Sequence, residues 1–236
     1  QTLNFDANGE TTIDVNYTDA GEVHLKMKYT GSGSDSGLEM KGSGTFVSRP
    51  AGLCVAAATT CPAGDSSCGA FAVAGDAFSL LVTPKAWVMD LDPDFCDNPV
   101  ATPNYTASNL AISHSLVSPS PGNAGTVSPG SYNHAVSGTG TNSINTSLSE
   151  VGVFTFTVTP PSYFTHSLGS FTSAPIGRFY PDHFDAVWTD PGEIAPSCNG
   201  SVNDFLYTGE AGYWLSEPTL TLTAKNSSGG TTQNYT

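Results

Sequence analysis

Residues 142–160 read "NSINTSLSEVGVFTFTVTP", and residues 11–29 read "TTIDVNYTDAGEVHLKMKY". Laid over each other they put Ile13 on Ile144, Tyr17 on Leu148, Asp19 on Glu150, Gly21 on Gly152, Val23 on Phe154 and Leu25 on Phe156, an offset of 131 (21 to 152). In both, an acid, one residue and a Gly lead into a run in which apolar and polar side chains alternate. Period-two alternation sends every second side chain to one face of a strand, and the Gly supplies the turn before it. The pattern predicts a strand that feeds the core of a sandwich and recurs once per repeat.

Working outward, "TTIDVNY", "EVHLKMKY", "FSLLVT", "NLAISHSLV" and "LTLTA" carry the same alternation and are rich in β-branched and aromatic types. Clusters of Gly, Pro, Ser, Asn and Asp separate them, and no stretch sustains apolar residues at helical spacing. The reading is an all-β chain of tandem immunoglobulin-like β-sandwich domains containing disulfides. Other matches keep nearly the same offset: "GTFVSRP" from Gly44 lies over "GRFYPDH" from Gly177, "FAVAGDA" over "FLYTGEA", and Cys68 over Cys198. The expected division is 1–45 as the C-terminal part of one repeat, 46–176 as a complete sandwich, and 177–236 as the N-terminal part of the next.

Seven basic residues against 21 acidic ones give a net charge of −14. No basic stripe exists to neutralise phosphates, which argues against nucleic acid, and the same field repels anionic membrane surfaces. No run of about 18 apolar residues offers a membrane span. The start lacks the basic and apolar segments of a signal peptide, so the chain is expected to begin inside a longer or processed protein. Four of the five cysteines fall within residues 54–96 of a Lys-poor chain, a usage that suits an oxidising, extracellular compartment. Cys54, Cys61, Cys68 and Cys96 allow three pairings, among which sequence cannot choose. A short loop closed by Cys61 and Cys68, with Cys54 tied to Cys96, is the preferred one, and Cys198 has no partner among them.

The stretch "APIGRFYPDHFDAVW" (174–188) gathers Arg178, Tyr180, Asp182, His183 and Asp185. A catalytic reading would need a nucleophile beside His183, and none is evident. The match of Arg178 to Arg49 favours a domain junction instead. In that reading Arg178 pairs with an acid, while Phe179, Tyr180 and Phe184 seal the seam, with Phe179 and Phe184 buried. In "MDLDPDFCDNP", Asp90, Asp92, Asp94 and Asp97 could offer oxygen ligands to calcium, without the Gly and closing Glu of an EF-hand. No other cofactor is indicated. Trp188, Tyr213 and Trp214 could form a platform for a sugar. Asn16, Asn104, Asn145, Asn199, Asn226 and Asn234 head N-x-Ser/Thr triplets. No motif for enzymatic chemistry stands in a supporting context.

The blocks "SAPIGRFYPDHF" after "SEVGVFTFTVTPP", "SRPAGLCV", "CDNPVATPNY", "NLAISHSLVSP" and "LTLTAKNSSGGTTQNYT" resemble the MSHA biogenesis protein MshQ family over most of the chain. The resemblance implies a bacterial surface protein tied to a type IV pilus system, with a role in adhesion. It carries over no catalytic residue, and no block here corresponds to the lectin-like domain of some members. The expected function is therefore a non-enzymatic structural or adhesive segment. Its partners would be other domains of the array, pilus or filament components, or surface glycans. Two alternatives are a glycan- or peptide-binding sandwich, and a filament subunit completed by strand donation between chains.

Overall fold

The computed structural model describes residues 3–196 and 206–235. Among them are sixteen strands and two short 3₁₀ turns. β1 (Gly21–Thr30) and β2 (Glu39–Ser48) form a hairpin. β3 (Gly52–Ala57), β4 (Ala72–Val73), β5 (Ala77–Lys85), β6 (Ala107–Ser118), β7 (Val127–Ser128), β8 (Ser131–His134), β9 (Asn142–Leu148), β10 (Gly152–Thr159), β11 (Phe171–Thr172) and β12 (Ile176–Tyr180) build a sandwich. β13 (His183–Asp190), β14 (Glu193–Pro196), β15 (Gly212–Ser216) and β16 (Thr219–Lys225) make two further ribbons, β13 with β16 and β14 with β15.

One sheet of the sandwich runs β3-β5-β9-β7 and the other β4-β12-β10-β6-β8, with β11 added to β10. All pairs are antiparallel except β12 with β4. The alternation seen in the sequence becomes the core. Phe78, Leu80 and Val82 of β5 and Ile144 and Leu148 of β9 face Phe154, Phe156 and Val158 of β10 and Leu110 and Ile112 of β6. Each such side chain taken out of water stabilises the fold by about 1.5–3 kcal/mol. Phe78 and Phe179 meet edge to face at 5.3 Å, and Phe71 lies 5.5 Å from Phe78 and 5.3 Å from Phe179, the geometry aromatic quadrupoles prefer.

The ladders turn the sequence repeat into a structural one. Gly21 faces Ser48 across β1 and β2, and Gly152 faces Phe179 across β10 and β12. Gly52 faces Lys85 across β3 and β5, and His183 faces Lys225 across β13 and β16. The β1/β2 hairpin thus repeats the β10/β12 pair, and β13/β16 repeats β3/β5.

These registers correct two expectations. Ser48 answers to Phe179, an offset of 131 (48 to 179), so Arg49 corresponds to Tyr180 and not to Arg178. At that end the slip is two residues, which keeps a side chain on its original face, and a bulge between Gly152 and Phe154 shifts the register beyond it. Residues 11–18 form no strand, although the matching β9 does: β9 has β5 and β7 to pair with, and alternation without a partner strand leaves backbone groups better served by water.

The ribbons also differ from the sandwich in burial. Leu80 and Val82 are fully buried, whereas Leu220 and Leu222, which take their places on β16, are exposed, Leu222 by 59%. Phe184 takes the place of buried Leu53 and is 48% exposed. The expected burial of Phe184 is therefore wrong. No facing sheet covers β13 and β16 among the described residues, and the Phe184 ring pairs edge to face with Tyr235 at 5.3 Å.

Candidate functional site

The cysteines bracket the long connection between β3 and β6. Cys54, on edge strand β3, is joined to Cys96 in the 3₁₀ turn 95–97, and Cys61 to Cys68. The bridges close loops of 42 and 7 residues, and in the chain-entropy account they stabilise by about 4 and 2 kcal/mol. The first bridge brings Phe95 over Gly52, where a Cβ would collide with the ring, and Phe95 then meets Phe171 edge to face at 5.5 Å. Cys198 lies outside the described residues.

In the acidic loop pinned by Cys96, three of the four aspartates accept hydrogen bonds from their own loop. Asp90 accepts a hydrogen bond from Trp87 Nε1 (3.2 Å), Asp92 from the amide of Asp94 (3.1 Å), and Asp94 from the amide of Cys96 (2.8 Å). Asp97 stands in the first turn of the 3₁₀ segment. Among the described residues no three His, Cys, Asp or Glu side chains converge in a way that could hold a metal ion. Alternate carboxylates in a turn-rich loop cap nearby amides more readily than they converge on one point.

The 174–188 stretch divides at Pro181. Before it, Phe179 is 1% exposed in the sandwich core, not in a seam. Arg178 donates from its guanidinium to the carbonyl of Ser66 (3.1 Å), so its partner is a carbonyl and not an acid. The Tyr180 carbonyl accepts from the amide of Ala74 (2.8 Å), while its ring is partly exposed. After Pro181, His183 Nδ1 is 2.6 Å from Asp182 and Nε2 is 3.7 Å from Asp185, and Lys225 is 3.6 Å from the same Asp185. Two carboxylates around an exposed imidazole form a surface charge cluster.

The three aromatics proposed for a sugar lie on two different ribbons. Trp188 lies on β13 opposite Leu220, while Tyr213 and Trp214 lie on β15 opposite Ala195 and Ile194. Adjacent strand residues point to opposite faces, so Tyr213 and Trp214 cannot both stack on one ring. All three are exposed.

Sequence reasoning gave no role to two polar centres. In the sandwich, His134 is buried beside Tyr132, with Nδ1 3.0 Å from the Tyr132 hydroxyl and Nε2 3.1 Å from the Gly140 carbonyl. Burial holds its pKa below the usual histidine value, against the opposing pull of the Gly140 bond, and burial likewise pushes Tyr105 up to about 12.

The second centre is a seam between the sandwich and the loop after β16. Glu150 is 3% exposed, and its carboxylate accepts the amides of Val151 (2.9 Å), Gln233 (3.0 and 2.9 Å) and Asn234 (3.2 Å). Asn234 Nδ2 donates to the carbonyls of Asn123 (2.7 Å) and Val151 (3.0 Å), and its Oδ1 accepts the Asn123 amide (2.6 Å). Asn226 Nδ2 donates to the Ser149 carbonyl (2.9 Å), and the Ser227 amide to that of Ala74 (2.9 Å). Gly75, at φ +91°, lets this loop approach; a Cβ there would lie 2.6 Å from Ser227 Oγ. Two N-x-Ser/Thr asparagines, Asn226 and Asn234, are thus buried structural groups; Asn16, Asn104 and Asn145 are exposed, and Asn199 lies outside the described residues. The clue in the sequence was the recurring acid before Gly.

Comparison with known proteins gives three family matches in chain order. Residues 1–43 match "Domain of unknown function (DUF6701), first Ig-like domain", residues 49–145 match "DUF6701, second domain", and residues 150–236 match "DUF6701, third domain". No curated protein and no solved structure matches the chain. The gap between the second and third matches, residues 146–149, takes in the end of β9 and the first residue of the turn to β10, two strands of facing sheets in one sandwich. With its all-β sandwich, its two disulfides and these matches along nearly its whole length, the chain belongs to the DUF6701 family and carries that family's first, second and third domains in order.

Proposed function

We propose that this chain is a non-enzymatic structural segment of a bacterial surface or pilus-associated protein, acting outside the cell as part of a stalk or adhesin. The observation that carries this reading is the Glu150 seam, which spends buried hydrogen bonds on holding one β-unit to the next. Two disulfides suit an oxidising compartment, and the resemblance to the MshQ family points to a type IV pilus setting. Its partners are neighbouring units of the array and pilus or filament components. Labelling intact source cells with a membrane-impermeant amine reagent tests the location: the chain labels before lysis, and labelling only after lysis sinks the proposal.

A second reading is favoured by the exposed aromatics Trp188, Tyr213 and Trp214, any one of which could stack on a glycan. A glycan array with Trp214→Ala and Trp188→Ala controls decides it, and binding that survives both removes these residues from consideration. The bare apolar face of β13 and β16 supports strand donation between chains as a third reading. A monodisperse monomer at high concentration rules that out.

A further inference from the structure

The Glu150 seam has a counterpart 131 residues earlier (19 to 150). Asp19 accepts the amide of Ala20 (2.7 Å) and that of Asn104 (3.0 Å) on Oδ1, and the Asn104 side-chain amide (2.7 Å) on Oδ2. In each seam the acid bonds the amide of the residue that follows it, and that residue, Ala20 or Val151, is buried. The next residue is Gly21 or Gly152, at φ +146° and +128°.

The opposite side of the seam matches as well. Lys85 bridges Ala101, and Lys225 bridges Thr231. The Thr102 amide donates to the Pro84 carbonyl and the Thr232 amide to that of Ala224, both at 2.9 Å. Thr102 and Thr232 are both buried, and Oγ1 of each lacks a partner. Two residues on stand Asn104 and Asn234, each followed by Tyr and Thr. A sandwich needs only alternation and turns, so neither the acid on one unit nor the Asn on the next is required by the fold itself.

We infer that the acid-x-Gly corner and the Thr-x-Asn-Tyr corner are a repeated docking pair, by which each unit grips the unit after it and for which either corner's partner is another unit of this kind. The inference rests on the structural-array reading and adds how successive units are oriented. A carboxylate taking several amide hydrogens is a directional, charge-assisted contact. The amides come from a corner fixed to its own strand by the Lys85 or Lys225 bridge, so the joint holds one orientation where tandem domains by default swivel. The two seams solve the same problem with acids of different length. The shorter Asp19 takes one backbone amide and the Asn104 side chain. The longer Glu150 reaches two backbone amides, which leaves the Asn234 side chain free to bond the carbonyls of Asn123 and Val151.

The test is residue-resolved hydrogen exchange on the full chain with Glu150→Ala and Asp19→Ala. Glu150→Ala is expected to speed exchange at the Gln233 and Asn234 amides by about tenfold or more, leaving Asn104 and the core amides of Leu80 and Phe156 as they were. Asp19→Ala is expected to do the reverse, accelerating Asn104 and leaving Gln233 and Asn234 as they were. Glu150→Gln and Asp19→Asn, which keep the shape, should give the same pattern at smaller amplitude. Unchanged exchange at 104, 233 and 234 in all four variants overturns the docking pair. So does acceleration of the core amides alongside them, because the acids would then serve the sandwich and not the joint. Neither outcome bears on whether the protein is displayed outside the cell, so the two proposals fail separately.

Discussion

Phe179→Ala and Phe184→Ala, five residues apart, should have very different consequences. Phe179 is 1% exposed, with Phe71 and Phe78 at 5.3 Å and Phe154 at 5.9 Å. Removing such a ring leaves a cavity among these three and Phe156 at 6.4 Å, at about 3–5 kcal/mol. Phe184 is 48% exposed with one ring neighbour, Tyr235, at 5.3 Å, so its loss costs about 1 kcal/mol or less. At roughly 2–4 °C per kcal/mol for a chain of this length, Phe179→Ala lowers the sandwich transition by about 10 °C and Phe184→Ala by no more than a few degrees. Differential scanning calorimetry, with hydrogen exchange of residues 78–84 and 152–158 to identify the sandwich, measures both. Equal destabilisation by the two changes would refute the claim that the sandwich core ends at Tyr180.

Replacing Cys54 and Cys96 together by Ser is expected to cost about 4 kcal/mol in urea unfolding, and Cys61 with Cys68 about 2; the reverse order would contradict the loop-length account. His134 is held neutral by burial, with its folded pKa below that of the unfolded chain, so the unfolded state takes up the proton first. Stability should be flat above about pH 6.5, then fall by up to about 1.4 kcal/mol per unit as pH drops toward the folded value, where the loss levels off. His134→Gln should remove that slope, as followed by urea midpoints from pH 7.5 to 5. Millimolar calcium should leave the transition temperature unchanged. A calcium-dependent rise abolished by Asp92→Ala with Asp94→Ala would restore the loop as a cation site.

Strands were the most legible part of this fold, because burial on one face writes itself into alternation. β1, β5, β6, β10 and β16 lie where the runs "EVHLKMKY", "FSLLVT", "NLAISHSLV", "VGVFTFTV" and "LTLTA" stand. Register was less legible: the match from Gly44 sets Phe46 on Phe179, whereas across the bulge between Gly152 and Phe154 the observed pairing sets it on Ile176, three residues earlier, and no local pattern marks a bulge. Residues 11–18 alternate as well as β9 does, but strand formation depends on a neighbour that no local sequence contains. The three possible cysteine pairings could be narrowed only by knowing where the 3₁₀ turn at 95–97 sits against β3. Both seams were written as single letters, Asp19 and Glu150. Their meaning came from amides brought in from more than 80 residues away.

The central claim, that the chain is built to hold structure along a tandem array, is tested most directly by pulling it from its two ends in a single-molecule force experiment. The sandwich should give one abrupt event. With the Cys54–Cys96 bridge intact, the 42-residue segment stays locked, and the rest of residues 52–180 releases about 300 Å of contour at roughly 3.3–3.6 Å per residue. Under reducing conditions the same event should lengthen by about 150 Å. A gradual, low-force extension without a discrete event, or a length that ignores reduction, would contradict the account.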